Sequence, residues 1–205
     1  MKKGMRLYSR YLVAFLIILL ASCATTRLLV VWKDEGFHRT MNRVVVVGVF
    51  RQPSVRNFFE DEYVRKLKER GVDAVASYTF LPIGELRKKE LLMSKIRENG
   101  ADAALVTRMV DKKSFESYVP GTIYAVPNYY HSWGSYFDYI YQPGYLVREE
   151  YAFAETNIYE TGSEKLVWAA RSETLLSDDK RELIRSFVNT MTEKMAADGL
   201  LPSGR

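Results

Sequence analysis

One thiol and two imidazoles are all that this 205-residue chain offers as soft nucleophile and metal-binding nitrogens: Cys23, His38 and His131. His131 precedes Ser132, a base beside a hydroxyl, which is the raw material of acyl transfer. A base and a nucleophile must face each other with a third group orienting the base, however, and sequence neighbours rarely meet that geometry. The pairs Glu149-Glu150 and Asp178-Asp179 would serve acid–base or metal chemistry only if their side chains converged. Consecutive residues on a strand point to opposite faces, and aspartates ahead of an apolar helical repeat suit a helix start, where the macrodipole favours them. Gly-x-Ser-x-Gly, His-Glu-x-x-His, EF-hand and phosphate-cradling glycine patterns are all missing from the sequence, and each is the signature of a specific chemistry. No catalytic residue, bound metal or dissociable cofactor is therefore expected.

The thiol has a clearer destiny. Lys2, Lys3, Arg6 and Arg10 lead into an apolar run from Tyr11 to Ala21, which ends in Leu20-Ala21-Ser22-Cys23. A basic start, a short apolar core and small residues before a cut are the parts of a secretory signal. A permanent span takes about 20 apolar residues, more than this run holds. The aliphatic residue three places before the cysteine and the small one just before it resemble the lipobox of bacterial lipoproteins. That resemblance implies cleavage between Ser22 and Cys23, a diacylglyceryl group on the sulfur and an N-acyl chain such as palmitate. Each buried methylene contributes about 0.8 kcal/mol and one chain binds only marginally, so two or three chains make a stable anchor. Ala24 stands where an aspartate would signal inner-membrane retention, so the expected address is the outer membrane, facing the periplasm.

Cleavage also changes the charge. The full chain carries 30 basic and 25 acidic residues. Four of the bases and none of the acids precede Cys23, which leaves 26 against 25. Nucleic-acid binding needs a concentrated basic patch, and the mature chain has none in sequence. With Cys23 as the only cysteine, intrachain disulfides are impossible and packing must supply the stability.

The most unusual composition lies from Phe115 to Tyr151, where twelve residues are aromatic and nine of these are tyrosine. Tyrosine and tryptophan give large contact area with a polar handle and concentrate at interfaces. Tyr129, Tyr130, Trp133, Tyr136, Phe137 and Tyr139 are the candidate partner-binding residues, for a protein, a glycan or a membrane interface. The same rings would equally serve as a structural cover over the sheet.

Positioning these residues falls to one α/β domain over 44–199, carrying the aromatic insertion at 115–149. A signal peptide at 1–22 and a lipidated tether at 23–43 precede it, and a tail at 200–205 follows. Part of the tether is a possible edge strand, and most of it is read as spacer. Val44 to Phe50 is a continuous apolar run suited to a strand covered on both faces. A helix capped by Ser54 follows, with Val55, Phe59, Tyr63 and Leu67 on one face and Gly71 closing it. Its other face sets Arg56 against Glu60, Glu62 against Lys66 and Arg65 against Glu69, which reads as a solvated surface. Val72 to Ser77 is a second strand. Glu85 to Asn99 is a second helix, with Leu86, Leu92, Met93 and Ile96 inward, and Gly100 stops it. Ala101 to Thr107 is a third strand.

Beyond the insertion, Glu150–Tyr159 and Lys165–Thr174 read as a hairpin, with Ala152, Ala154, Thr156 and Ile158 on one face. Ser177-Asp178-Asp179 starts a final helix built on Ile184, Phe187, Val188, Met191 and Met195, ended by Gly199. The expected fold is a mixed sheet of about five strands, in the order β-α-β-α-β, aromatic loop, β-β-α, with helices packed on it.

Val45–Val49, Arg56-Asn57-Phe58-Phe59-Glu60-Asp61, Gly71-Val72-Asp73-Ala74, Gly100–Val106 and Ile158–Trp168 together resemble an uncharacterised family of bacterial lipoproteins known as a domain of unknown function. That family is similar in layout to the amino-terminal α/β domain of the periplasmic protein TolB. The resemblance implies a helix-covered mixed sheet and carries over no catalytic residue. The leading expectation is a non-enzymatic, membrane-anchored binding or assembly module of the cell envelope, with an envelope protein as its partner. A small-ligand or glycan-binding lipoprotein is the alternative, with a concave pocket lined by the insertion's rings. An enzyme of unrecognised type comes third and would need His131 to meet Glu149 or Glu155 in one cleft.

Overall fold

A computed structural model describes residues 25–126 and 138–202. In chain order these form β1 (Thr26–Lys33), β2 (Arg43–Val49), α1 (Pro53–Glu69), β3 (Asp73–Ala76), α2 (Lys89–Glu98), β4 (Ala103–Val119), β5 (Thr122–Val126), β6 (Asp138–Gln142), β7 (Tyr145–Glu160), β8 (Leu166–Leu175) and α3 (Lys180–Ala197). Six strands make one mixed sheet in the order β1-β8-β7-β4-β2-β3. Strand β2 runs parallel to β3 and β4, and the other neighbours are antiparallel. Strands β5 and β6 pair only with each other. The α/β class is as expected, with β1 and the small hairpin added to the five strands.

The valine run of β2 is buried on both sides because each side has its own helix layer. Val44 and Val46 join Phe59, Tyr63 and Leu67 of α1 and Phe187, Val188, Met191 and Met195 of α3 over Ile158 and Trp168. Val45 and Val47 pack instead with Ile96, Ala101 and Ala104, supported by Leu86 and Leu92. Gly71, Gly100 and Gly199 follow the three helices at φ of +82°, +66° and +75°, the left-handed conformation that only glycine adopts without a Cβ penalty.

Several boundaries move. Within the expected spacer, Thr26–Lys33 is strand β1, paired antiparallel with β8. Leu28 and Val31 pack against the core, so the edge strand allowed for within the tether closes one edge of the sheet, and less of the segment is spacer than expected. The expected tail is also built in: Leu200 and Leu201 are buried, and the Leu200 carbonyl accepts from Met41 N–H at 2.9 Å. Helix α1 begins at Pro53 with Gln52 as cap residue and no side-chain cap bond, so Ser54 lies inside its first turn. Helix α2 starts only at Lys89, after a separate short turn at Ile83–Glu85. Arg87 and Lys88 ahead of that start oppose the macrodipole. Strands β4 and β7 run on through much of the presumed loop, to Val119 and from Tyr145.

Candidate functional site

Pairing register puts three features at one end of the sheet. Thr26 of β1 lies opposite Thr174 of β8, Thr174 opposite Ala152 of β7, and Ala152 opposite Lys112 of β4. The first of these features is the incoming chain: the Thr25 carbonyl accepts from Leu175 N–H at 3.0 Å, and Thr25 N–H donates to Ser186 Oγ at 3.2 Å. One residue, Ala24, separates Thr25 from Cys23, and the two residue steps at about 3.5 Å each span ~7 Å at most.

The second is a two-stranded ribbon. Beyond Tyr151, β7 has no β8 partner, while β4 and β7 stay paired from Ser114 opposite Glu150 out to Val119 opposite Tyr145. Six residue pairs at about 3.4 Å each project the ribbon ~20 Å past the sheet. Alternation places Phe115, Ser117, Val119, Tyr145, Val147 and Glu149 on one side, and on the other Ser114, Glu116, Tyr118, Leu146, Arg148 and Glu150. Phe115, Tyr118, Tyr145 and Leu146 are 52, 64, 54 and 68 % exposed, so the ribbon displays apolar surface on both sides. Phe115 meets Tyr151 edge to face at 5.7 Å between ring centres, stiffening its base. At Gly144 a Cβ would meet the Tyr118 side chain and lie 2.8 Å from the Val119 carbonyl oxygen, so glycine is needed for β7 to leave the turn there.

The third is a groove of about 940 Å³, where the sheet is left open between the N-terminal halves of α1 and α3. Phe59, Met109, Ala154, Leu183, Ile184 and Phe187 supply its apolar lining. Arg51, Arg87, Lys112 and Lys180 also line it, with Asp111 as the one acid. Lys112 pairs with Glu150 at 2.6 Å and Asp111 with Lys113 at 3.7 Å. Arg51, Arg87 and Lys180 are exposed and form no ion pair among the described residues.

One groove wall rests on a buried charge lock. Glu60 is fully buried and Arg56 nearly so, which corrects the expectation of a solvated face on α1. Glu60 Oε1 accepts from Gly48 N–H at 2.9 Å, Arg56 Nε at 2.8 Å and Ser77 Oγ at 2.9 Å, and Oε2 accepts from Tyr78 N–H at 2.8 Å. Arg56 Nη2 donates to Ser77 Oγ at 2.8 Å. Gly48 makes room for this, since a Cβ there would press on the Phe50 and Phe59 rings at 3.1 and 3.2 Å. The carboxylate is saturated with donors, so it fixes α1 to β2 and β3 and offers nothing to a substrate. The same four-residue spacing at Arg65 and Glu69 is solvent-facing, as expected, while Glu62 is buried and pairs with Arg65 rather than Lys66.

The expected site residues fall mostly elsewhere. Ser22, Cys23, Tyr129, Tyr130, His131, Trp133, Tyr136 and Phe137 lie outside the described residues. Tyr139 is in β6, its backbone opposite Ala125. His38 is exposed, just after β1. Glu149 accepts from the Tyr151 hydroxyl at 3.0 Å, which pushes that phenol up. Glu150 takes the Lys112 ammonium, whose hydrogen bond and charge hold the carboxyl below its ordinary value. Glu155 pairs with Arg108 at 2.8 Å. Glu149 and Glu155 are thus separately committed, six residues apart along β7. Asp179 caps α3 by accepting from Arg181 and Glu182 N–H at 3.0 Å each, so the aspartate pair marks a helix start. Sequence reasoning missed Glu60 and the groove cations, which lie far apart in the chain, and none of the six rings it singled out belongs to the ribbon pairs 114–119 and 145–150.

No family model matches the chain, and no curated protein matches it. Among solved structures it is similar to a PelC dodecamer from Paraburkholderia phytofirmans, with 10% identity and a TM-score of 0.45 over 87% of this chain and 99% of that one. It is also similar to lipoprotein GNA1162 from Neisseria meningitidis, with 12% identity and a TM-score of 0.42 over 76% of this chain and 99% of that one. Identities this low transfer no residue role or activity.

Proposed function

We propose that the protein is a lipid-anchored, non-enzymatic binding or assembly module of the cell envelope, held through acylated Cys23 at the outer membrane and facing the periplasm. What supports this reading is the placement of the incoming chain and the aromatic ribbon at the same end of the sheet. With only Ala24 and Thr25 between the anchor and β1, the tether is short, and the ribbon works close to the bilayer. Its exposed Phe115, Tyr118, Tyr145 and Leu146 form the surface for an envelope protein, and Tyr129, Tyr130 and Trp133 are proposed as further partner-binding residues of the same insertion.

A photoreactive residue at position 118 or 146, activated in intact cells, is expected to capture one envelope protein reproducibly. The exchanges Tyr118→Ser and Leu146→Ser should abolish the adduct made from position 129 while leaving the melting temperature unchanged. An unaltered adduct pattern in that double variant would rule the ribbon out as the binding surface. Loss of the protein from the membrane fraction on Cys23→Ala tests the anchor separately. The small-ligand reading is favoured by a different observation, the groove, whose lining is distinct from the insertion's rings.

A further inference from the structure

The groove and the chain entry share one end of the sheet, and that proximity decides what the groove can reach. Thr174 and Leu176 line the groove and flank Leu175, which hydrogen-bonds Thr25. An anchor at Cys23 therefore holds the groove mouth within a few residues' length of lipid headgroups. At about 940 Å³ the groove is at the upper end of ligand-sized cavities, which run from about 300 to 1,000 Å³. Its lining of aliphatic and aromatic side chains suits a hydrocarbon.

The rim adds selectivity. Once the signal peptide is removed the chain is almost neutral, with 26 bases against 25 acids, yet among the described residues Arg51, Arg87 and Lys180 stand without acidic partners around this opening. Three uncompensated cations over an apolar bed complement an amphiphile with an anionic head. Cationic side chains beside a membrane favour anionic lipids additively. We infer that the groove takes an acyl chain of an anionic glycerophospholipid from the bilayer that anchors the protein, with the phosphate held at the Arg51, Arg87 and Lys180 rim. This inference rests on the anchor proposed above.

The test uses purified full-length protein in vesicles of phosphatidylglycerol or of phosphatidylcholine, each with a trace of the same phospholipid bearing a diazirine near the end of one acyl chain. Irradiation followed by peptide mapping should place adducts on Met109 and on Leu183, Ile184 or Phe187. Phosphatidylcholine vesicles should give about tenfold fewer. The triple variant Arg51→Glu, Arg87→Glu, Lys180→Glu, altered only at exposed positions, should bring the phosphatidylglycerol signal down to the phosphatidylcholine level with an unchanged melting temperature. Adducts confined to residues 115–147, or equal labelling from the two lipids, would overturn the inference. Groove labelling that appears only in Cys23→Ala would also overturn it, because the protein's own acyl chain would then be the occupant. The mass of the N-terminal peptide, read in every sample, separates the two proposals. Groove adducts on an unacylated chain would remove the anchor and leave the lipid site, and an acylated chain with an unlabelled groove would do the reverse.

Discussion

The two ends of the sheet are built on opposite plans. At the end away from the incoming chain, polar groups meet partners: Asp102 accepts from Asn42 N–H at 2.8 Å and Arg43 N–H at 3.2 Å, and Thr161 N–H donates to the Asp102 carbonyl at 3.0 Å. Asp198 there accepts from Trp168 Nε1 at 2.8 Å and Lys194 Nζ at 2.6 Å, while Lys33 Nζ donates to its carbonyl at 2.6 Å. At the other end lie an open groove, three unpartnered cations and a ribbon with four large apolar side chains in solvent. Contiguous exposed apolar surface on a monomer marks an interaction site. The difference lies in what the pairing leaves over: at one end it closes the sheet, and at the other, beside pairs such as Lys112 with Glu150, it leaves a groove and apolar side chains exposed.

The sharpest way to break that contrast is to remove the buried Arg56–Glu60 ion pair that supports the open end. Glu60→Ala leaves the Arg56 guanidinium buried without its counter-charge and strips acceptors from Gly48 and Tyr78 N–H. Breaking a buried pair from one side costs about 3–5 kcal/mol, and urea unfolding should register a loss of that size. A loss below about 1 kcal/mol would mean that water reaches the pair and that the groove wall is not anchored there.

A smaller effect is expected at the closed end. Burial raises the Asp198 carboxyl, but hydrogen bonds from Lys194 and Trp168, with the charges of Lys194 and Lys33, outweigh it and leave the group below its ordinary 3.8. A carboxyl depressed in the folded state contributes stability that is complete above its unfolded pKa and is lost as pH falls through the folded one. The wild type should therefore lose melting temperature below about pH 4 through this group. Asp198→Asn should flatten that part of the curve and cost about 1.5–3 kcal/mol at neutral pH, the range for hydrogen bonds to a charged group. A variant with the same acid limb as wild type would show that the lock lies elsewhere.

Much of the fold was legible because its cores obey simple periods. The valine run of β2, the four-residue spacing of α1, the small residues on one face of β7 and the three terminating glycines all fell where the structure has them. The outer halves of β4 and β7 were hidden, and β1 was legible only as an edge strand in part of the tether, for the same physical reason. An edge strand and a free ribbon cover little core, so the sequence pattern ends the third strand at Thr107, whereas its pairing in fact continues to Val119. The groove cations were invisible because Arg51, Arg87 and Lys180 meet only in three dimensions. In α1 the limit is sharper: Arg56 with Glu60 and Arg65 with Glu69 have identical spacing, and only tertiary packing separates a buried lock from a surface pair.

That pair of pairs gives the smallest effect and the finest test. The Arg65 side chain is about half exposed, at 49 %, as is Glu69 at 50 %, whereas Arg56 and Glu60 stand at 3 % and 0 %. The hydrogen bond that Arg65 donates to Glu62 leads the causes that push its guanidinium up, with Glu69 adding to it. Solvent and salt screen the Arg65–Glu69 pair, so Glu69→Ala, which leaves Arg65 with Glu62, should cost about 0.2–1 kcal/mol, and the cost should shrink further in 1 M salt, where the Debye length is about 3 Å. Arg56→Ala should cost several times more and respond little to salt, because the charge it strands on Glu60 is out of water. If the two variants proved equal in size and in salt response, the Glu60 site would be hydrated, and the rigid wall inferred for the lipid groove would lose its support.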